Sequence, residues 1–348
     1  MKRYLTIGNR GGWTVKSCCM GLLSLLLCMA PVCFFTSCSS IDEDLSDCGE
    51  EFKVEYELHL ITNFETELQT QLTSSAELRV ADALRDYLAD VFSNVGHDID
   101  LSFYDTGKEA NLRYHKSDLI NDSTKSYTLF LPVQKYRNLA LANLLNNSVV
   151  SVAGGDQSST LALVQKPEET IESHETGVFT ARTDIKVLEG EDQTFHVNLY
   201  MSNSATALVI DNSEGVNVKD IQVYATGFAT GFNVNDSTYT FVDNPPLVHA
   251  QSVNTGTDDM LCFCTVNFPS RDKAEGDEPL WQYVVYVTLA DGSVTKSVLK
   301  MEEPLKAGEI KIVKVHLQTD GSLQPVSAEV GVSVTLDWKQ GGSYEWEM

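Results

Sequence analysis

The sequence predicts an all-β protein built of sandwiches, carrying one helix in its N-terminal third. Three observations predict it. Short runs of alternating apolar and polar residues recur from Val54 to Leu336, with turn dipeptides such as Asp291-Gly292 and Asp320-Gly321 between them. A single segment, Ser74 to Val95, changes to a helical period. The chain of 348 residues is too long for one small core, so two domains are expected.

Val54, Tyr56, Leu58 and Leu60 alternate with Lys53, Glu55, Glu57 and His59, the period of a half-buried strand. In the helical segment Val80, Leu84, Leu88 and Phe92 recur on one stripe, widened by Ala81 and Val91. Ser74-Ser75-Ala76-Glu77 fits a capping box, in which serine and glutamate side chains satisfy backbone N–H groups at the helix start. The apolar stripe is expected to cover a sheet. Its polar face carries Asp82, Asp86 and Asp90, which argues against a membrane-surface helix.

Strand signals then dominate. Ile99, Leu101 and Phe103 alternate before a turn at Asp105-Thr106-Gly107, and Tyr127 to Pro132 leads into Tyr136 to Leu145, a stretch compatible with strand or helix. Residues 146–180 are rich in Ser, Gly, Glu and Thr and read as long loops. The acidic stretch Glu189-Gly190-Glu191-Asp192 marks the expected boundary between a domain at 52–190 and a second at 191–348. In the second half Phe195, Val197, Leu199 and Met201 alternate, as do Ile221, Val223 and Ala225. Trp281 to Leu289 and Val294 to Leu299 flank Asp291-Gly292, a hairpin signal. Ile310 to Leu317 follows, and Val330, Val332, Val334 and Leu336 form the last alternating strand. Short strands at this spacing suit sandwiches.

The N-terminus reads differently. Lys2, Arg3, Arg10 and Lys16 precede an apolar run from Met20 to Phe35, interrupted by Ser24 and Pro31. That run is short for a membrane span, which needs roughly 20 apolar residues, and it has the pattern of a secretory signal. Phe35-Thr36-Ser37-Cys38 resembles the lipobox of bacterial lipoproteins, with Phe35 where Leu is usual. The resemblance implies a signal peptide over 1–37, lipidation of Cys38, and an acidic tether over 38–51.

Charge narrows the function. The chain has 25 Lys and Arg against 49 Asp and Glu, a formal charge of -24. Loss of residues 1–37 removes four basic residues and no acidic one, which makes the balance more negative still. Nucleic acid is excluded as a partner, because its binding needs basic patches. Adsorption to anionic head groups is opposed as well, so membrane attachment falls to the acyl chains on Cys38.

Of 8 cysteines, Cys48, Cys262 and Cys264 remain beyond the signal and Cys38. Strand residues two apart lie roughly 6.6–6.8 Å from each other, at the limit for a disulfide. Cys262 and Cys264 are therefore expected to be buried on the same face of a strand without bonding each other. The pairing state of Cys48 stays open. The pair offers too few ligands for a metal site. The 7 histidines are scattered, and several alternate with strand residues as solvent-facing positions. No nucleophile elbow, zinc-protease motif, phosphate loop or dinucleotide fingerprint occurs, so no catalytic, cofactor-binding or metal residue is expected. Trp281 opens an alternating strand and is expected in the core, whereas Trp338 and Trp346 could stack on sugar faces.

In order along the chain, these pieces resemble the fimbrial anchor lipoproteins of Bacteroidales. The resemblance is carried by Asp44-Leu45-Ser46-Asp47-Cys48, by Leu101-Ser102-Phe103-Tyr104-Asp105-Thr106-Gly107, by Tyr127 to Pro132 with Lys135-Tyr136, and by Phe195 to Ile210. Gln134 stands where a turn glycine is usual in that family. The resemblance implies two tandem transthyretin-like sandwiches, the first with the added helix. It implies a non-enzymatic protein in the outer membrane, anchored through lipid on Cys38 and holding fimbrial stalk subunits by strand complementation, with Asp42-Glu43-Asp44 as an export signal to the surface. The strand from Val54 to Leu60 would stay in place, and Val330–Leu336 is the favoured partner-facing edge. The alternative from the residues is a surface glycan-binding lipoprotein using Trp338 or Trp346; a hydrolase without a recognisable motif ranks third.

Overall fold

Strand follows strand almost without interruption in the computed structural model. It describes residues 51–61, 71–72, 74–93, 98–107, 111–119, 126–145, 147–152, 160–163, 170–190, 192–274, 276, 279–326 and 332–339. The first elements are β1 (Glu51–Ile61), α1 (Ser75–Ser93), β2 (Ile99–Asp105), β3 (Leu112–Asp118), β4 (Ser126–Pro132) and β5 (Lys135–Ala142). Next come β6 (Val150–Val152), β7 (Thr160–Leu163), β8 (Ile171–Glu172), β9 (Phe179–Lys186) and β10 (Gln193–Met201). Then follow β11 (Ser204–Asp211), β12 (Val218–Thr226), β13 (Gly231–Asn233), β14 (Thr238–Thr240), β15 (Val248–His249) and β16 (Gln251–Val253). The last are β17 (Met260–Asn267), β18 (Trp281–Leu289), β19 (Val294–Met301), β20 (Ile310–Leu317), β21 (Leu323–Pro325) and β22 (Val332–Lys339). The fold is all-β, as the alternation predicts.

Seven strands in the order β3-β2-β5-β9-β10-β1-β4 make the first sheet. The expected first strand is β1, held in the sheet interior between parallel β10 and antiparallel β4. The sheet curls until its two edges approach, with Lys116 Nζ of β3 lying 4.9 Å from the ring centre of Tyr127 on β4. Tyr136 to Leu145, ambiguous in sequence, is strand β5 over Lys135–Ala142. Among the described residues of 146–180 lie the short strands β6, β7 and β8 and the start of β9.

A sandwich follows. Five strands (β16-β17-β11-β20-β21) face six (β22-β19-β18-β12-β15-β8). Leu208, Ile210, Phe263, Val313 and Val315 of the first pack in one core with Val223, Tyr283, Val285, Val287 and Leu299 of the second. β13, β14, β6 and β7 form a small four-stranded sheet.

The five-stranded sheet is buried on both faces, which explains why β11 shows an unbroken run of buried residues from Ser204 to Ile210. Its second face presents Ala205, Ala207, Val209, Cys262, Cys264 and Val266 to a core shared with Leu101, Phe103, Leu129 and Leu199 of the first sheet. The stripe of α1, with Val80, Ala81, Leu84 and Leu88 buried, fills that same core. Each such side chain contributes about 1.5–3 kcal/mol when fully buried. The helix thus covers a sheet from the second half of the chain, since β11 and β17 leave an apolar face that the sandwich does not reach. The capping box is formed: Ser74 N donates to Glu77 Oε2 at 2.9 Å, and Glu77 N to Ser74 Oγ at 3.3 Å.

The expected boundary at 190/191 falls in the connection between β9 and β10, neighbours in the first sheet. Sheet membership changes instead after Met201, where Ser202 and Asn203 lead into β11. Strands β7 and β8 also pair across that line, with β13 and β15. Residues Cys48–Met348 form one compact unit.

One glycine bears a strict constraint. Gly227, at the end of β12, has φ +103, and a Cβ there would lie 2.6 Å from Trp281 Cα. Gly227→Ala is expected to cost about 3 kcal/mol or more, because backbone rather than a side-chain tip must move. Urea unfolding measures it; an unchanged midpoint would contradict the close approach.

Candidate interaction site

A binding role for a strand-rich chain rests on its sheet edges, since an open edge presents unpaired N–H and C=O groups. β8 has two residues, and β16 and β21 have three each, β21 ending in Pro325. Short edges and proline blunt further pairing. The edges of the first sheet, β3 and β4, meet where Lys116 lies over the Tyr127 ring.

β20 projects beyond β21, which pairs only with Val315, His316 and Leu317. Its remaining edge is capped by a side chain. Gln71 Nε2 donates to Ile310 O at 2.9 Å, and Ile312 N donates to Gln71 Oε1 at 3.0 Å. The amide thus imitates one residue of a neighbouring strand. Nearby, Lys314 Nζ lies 2.5 Å from Glu77 Oε1 at the start of α1. Burial pushes the Glu77 carboxyl up, but hydrogen bonds from Lys314 and Ser74 outweigh it and hold the pKa at about 2. Gln71→Ala is expected to destabilise the protein by about 1–3 kcal/mol by removing both bonds. A denaturation midpoint equal to wild type would show the cap to be idle.

β22 is different. It is eight residues long, pairs with β19 from Val332↔Met301 to Lys339↔Val294, and ends the order of its sheet. Among the described residues no strand pairs with its other side. Val332, Val334 and Leu336 alternate with Ser333, Thr335 and Asp337, so the sequence expectation of a strand at Val330–Leu336 corresponds to this edge.

Other expected residues fall as follows. Cys262 and Cys264 are free and buried, on the face toward α1. Burial pushes the Cys262 thiol up to about 12 and raises that of Cys264 well above its ordinary value, which leaves both inert as nucleophiles. Trp281 is 2% exposed and its Nε1 donates to Glu303 O at 3.0 Å, a core position. Cys38, the tether through Glu50, Cys48 and Trp346 lie outside the described residues. Trp338 lies on β22.

Two clusters escape sequence reading. Asp100 of β2 accepts from Ser117 Oγ at 2.7 Å and lies 2.6 Å from His115 Nε2, both on β3. Serine, histidine and aspartate suggest a hydrolase. The geometry denies it, because serine also meets the ring at Nε2, 3.4 Å away, so the aspartate does not orient the ring from its other nitrogen. The second cluster is buried. His174, 2% exposed, places Nδ1 2.6 Å from Asn203 Nδ2, donates its backbone N–H to Val266 O at 2.8 Å, and packs edge-on against Phe268. Burial pulls its pKa down to about 3. Neutral His174 must accept from Asn203, whose Oδ1 takes the Val178 N–H at 2.5 Å. This network joins the end of the first sheet to the start of the sandwich. Its partners lie far apart in sequence, so only the run of polar residues Ser202-Asn203-Ser204 hinted at it.

Among the described residues no group of three or more His, Cys, Asp or Glu could hold a metal ion. No helix among them is long and apolar enough to cross a membrane.

The profile of a family described as fimbrillin-A associated anchor proteins Mfa1 and Mfa2 matches residues 65–336. The chain belongs to this family. No curated protein matches it by sequence. Among solved structures, the fimbrial anchor protein Mfa2 from Porphyromonas gingivalis is 13% identical, covering 84% of this chain and 100% of that one at a TM-score of 0.42. A candidate adhesin from Bacteroides ovatus is 10% identical over 88% of this chain and 100% of its own, at 0.48. A candidate polysaccharide-binding protein from Bacteroides thetaiotaomicron is 9% identical over 83% and 99%, at 0.46. Membership in the anchor family supports a fimbrial anchor or adhesin role at the cell surface.

Proposed function

We propose that this protein is a non-enzymatic lipoprotein that holds the base of a fimbria to the outer membrane, through acyl chains on Cys38 at one end and the edge of β22 at the other. The observation that carries the reading is that, among the described residues, no strand pairs with the second side of the eight-residue β22 in a member of the anchor family, whereas the edges β8, β16 and β21 are short and β20 is capped by Gln71. A stalk subunit would add a strand there, main-chain hydrogen bonds giving affinity and alternate side chains giving selectivity. The interior position of β1 suits a subunit that keeps its own first strand, so the chain receives a strand at β22 without exchanging β1. The strong negative charge leaves the lipid to do the membrane work.

Pull-down of the intact lipidated protein from outer membranes tests this. Co-purification of subunits that migrate as a polymer ladder is expected. A preparation that captures no such subunit from fimbriated cells would contradict it.

A further inference from the structure

Three exposed apolar side chains stand at one end of the first sheet, the end where the chain enters it. Phe130 is 55% exposed on β4, Val133 is 42% exposed in the connection from β4 to β5, and Leu188 is 38% exposed just past β9. β1 begins at this end, with Glu51 opposite Pro132 at the end of β4. Lys135 at the start of β5 lies opposite Lys186 at the end of β9, and Val187 N donates to Gln134 O at 2.9 Å. The same register carried one step further sets Val133 against Leu188. The chain leaves the sheet from its other end. β10 starts beside β1 at Gln193 and, after nine residues, passes through Ser202 and Asn203 into the sandwich. At ~3.3 Å per residue the two ends lie about 30 Å apart.

The length of chain before β1 links the apolar end to a lipid surface. With lipid on Cys38, 13 residues, from 38 to 50, separate the acyl chains from Glu51. At ~3.6 Å per residue a fully extended segment of that length spans at most about 47 Å. A relaxed one spans roughly 20 Å. The end carrying Phe130, Val133 and Leu188 is therefore the part of the folded body held nearest the bilayer.

Charge refines the contact. Lys135 and Lys186 are both exposed, and like charges directly opposite each other repel. Among the described residues neither has an ion pair. Phosphates of lipid head groups would offset both, while the lysine stems cover apolar surface. Glu189 and Asp192 stand in the connection that follows, which restricts the contact to a shallow one. The negative charge of the whole chain still opposes adsorption, so such a contact orients a body already held by lipid and does not replace the lipid. We infer that Phe130, Val133 and Leu188 dip into the head-group boundary of the membrane and set this end of the first sheet toward it, an inference that rests on the lipidation of Cys38 proposed above.

The test uses the intact lipidated protein in vesicles of phosphatidylethanolamine and phosphatidylglycerol, with and without lipids brominated high on the acyl chain. Phe130→Trp and Leu188→Trp place a reporter at the apolar end. Tyr200→Trp places one near the far end of β10, at a position 56% exposed. After subtraction of the wild-type signal, the first two are expected to emit at shorter wavelength than Tyr200→Trp and to be quenched by brominated lipid, because interfacial side chains sit about 5–10 Å into the boundary. Tyr200→Trp is expected to escape quenching. Flotation with the vesicles reports the lipid anchor separately. A chain that floats, with Phe130→Trp and Leu188→Trp no more quenched than Tyr200→Trp, would overturn the membrane contact and spare the anchoring role. A chain that does not float would overturn both.

Discussion

Deletion of residues 330–348 is expected to abolish attachment of fimbriae to the cell while leaving export of the chain intact. The export signal proposed for residues 1–37 lies at the other end of the sequence, and β22 pairs only with β19 among the described strands. A partner strand along eight residues would form several main-chain hydrogen bonds, each worth about 0.5–1.5 kcal/mol net. Each loss of about 1.4 kcal/mol weakens a complex tenfold, so removing the edge lowers affinity by several powers of ten. Deletion also turns β19 into an edge, and a finer variant guards against misfolding. In an antiparallel pair every second residue directs its N–H away from the neighbour. Prolines at those outward positions of β22 remove donors a partner needs and spare the bonds to β19. Such variants should melt as wild type does and still lose attachment. Fimbriae that stay cell-bound in both variants would rule out β22 as the docking edge.

Acidification is expected to unfold the protein through His174. The imidazole has a folded pKa of about 3 against an ordinary value of 6.5. The unfolded chain therefore binds the proton first, and stability is fully present above about pH 6.5 and declines as pH falls toward 3. At 1.36 kcal/mol for each unit, the ceiling of this loss is on the order of 4–5 kcal/mol. Protonation would also put a donor where Nδ1 must accept from Asn203. His174→Gln keeps an acceptor and removes the titration. Chemical denaturation between pH 7.5 and pH 4 should show a flatter stability profile for the variant than for wild type. Parallel profiles would show that His174 is not the titrating group. Glu77 adds a separate loss, from about pH 4.5 down toward 2, which both proteins share.

Local pattern was readable wherever one face of a strand is buried. Val197, Leu199 and Met201 alternate in sequence and in burial along β10, and Ile310, Ile312, Val313, Val315 and Leu317 are the buried residues of β20. The capping box named the helix start, and the two-residue spacing of Cys262 and Cys264 placed them on one buried face. Pairing at long range was not readable. The parallel register of β1 on β10, and of β11 on β20, joins segments more than a hundred residues apart that carry no mutual signal. The acidic stretch at Glu189 resembles a linker because an exposed connection inside a sheet has the same polar composition. His174 sits in a Ser- and Glu-rich stretch that reads as solvated loop, and its burial depends on Asn203, Val266 and Phe268. In the candidate site, the last strand was legible from its alternation, but its edge position required the sheet order. The Gln71 cap on β20 depends wholly on tertiary structure.

Lipid attachment at Cys38 is the central claim, and one measurement reaches it most directly. Cys38→Ala is introduced in cells that assemble fimbriae, and intact fimbriae are quantified in the medium and on the cell. The account predicts that nearly all of them appear in the medium, fully polymerised. Unchanged retention on the cell would contradict it.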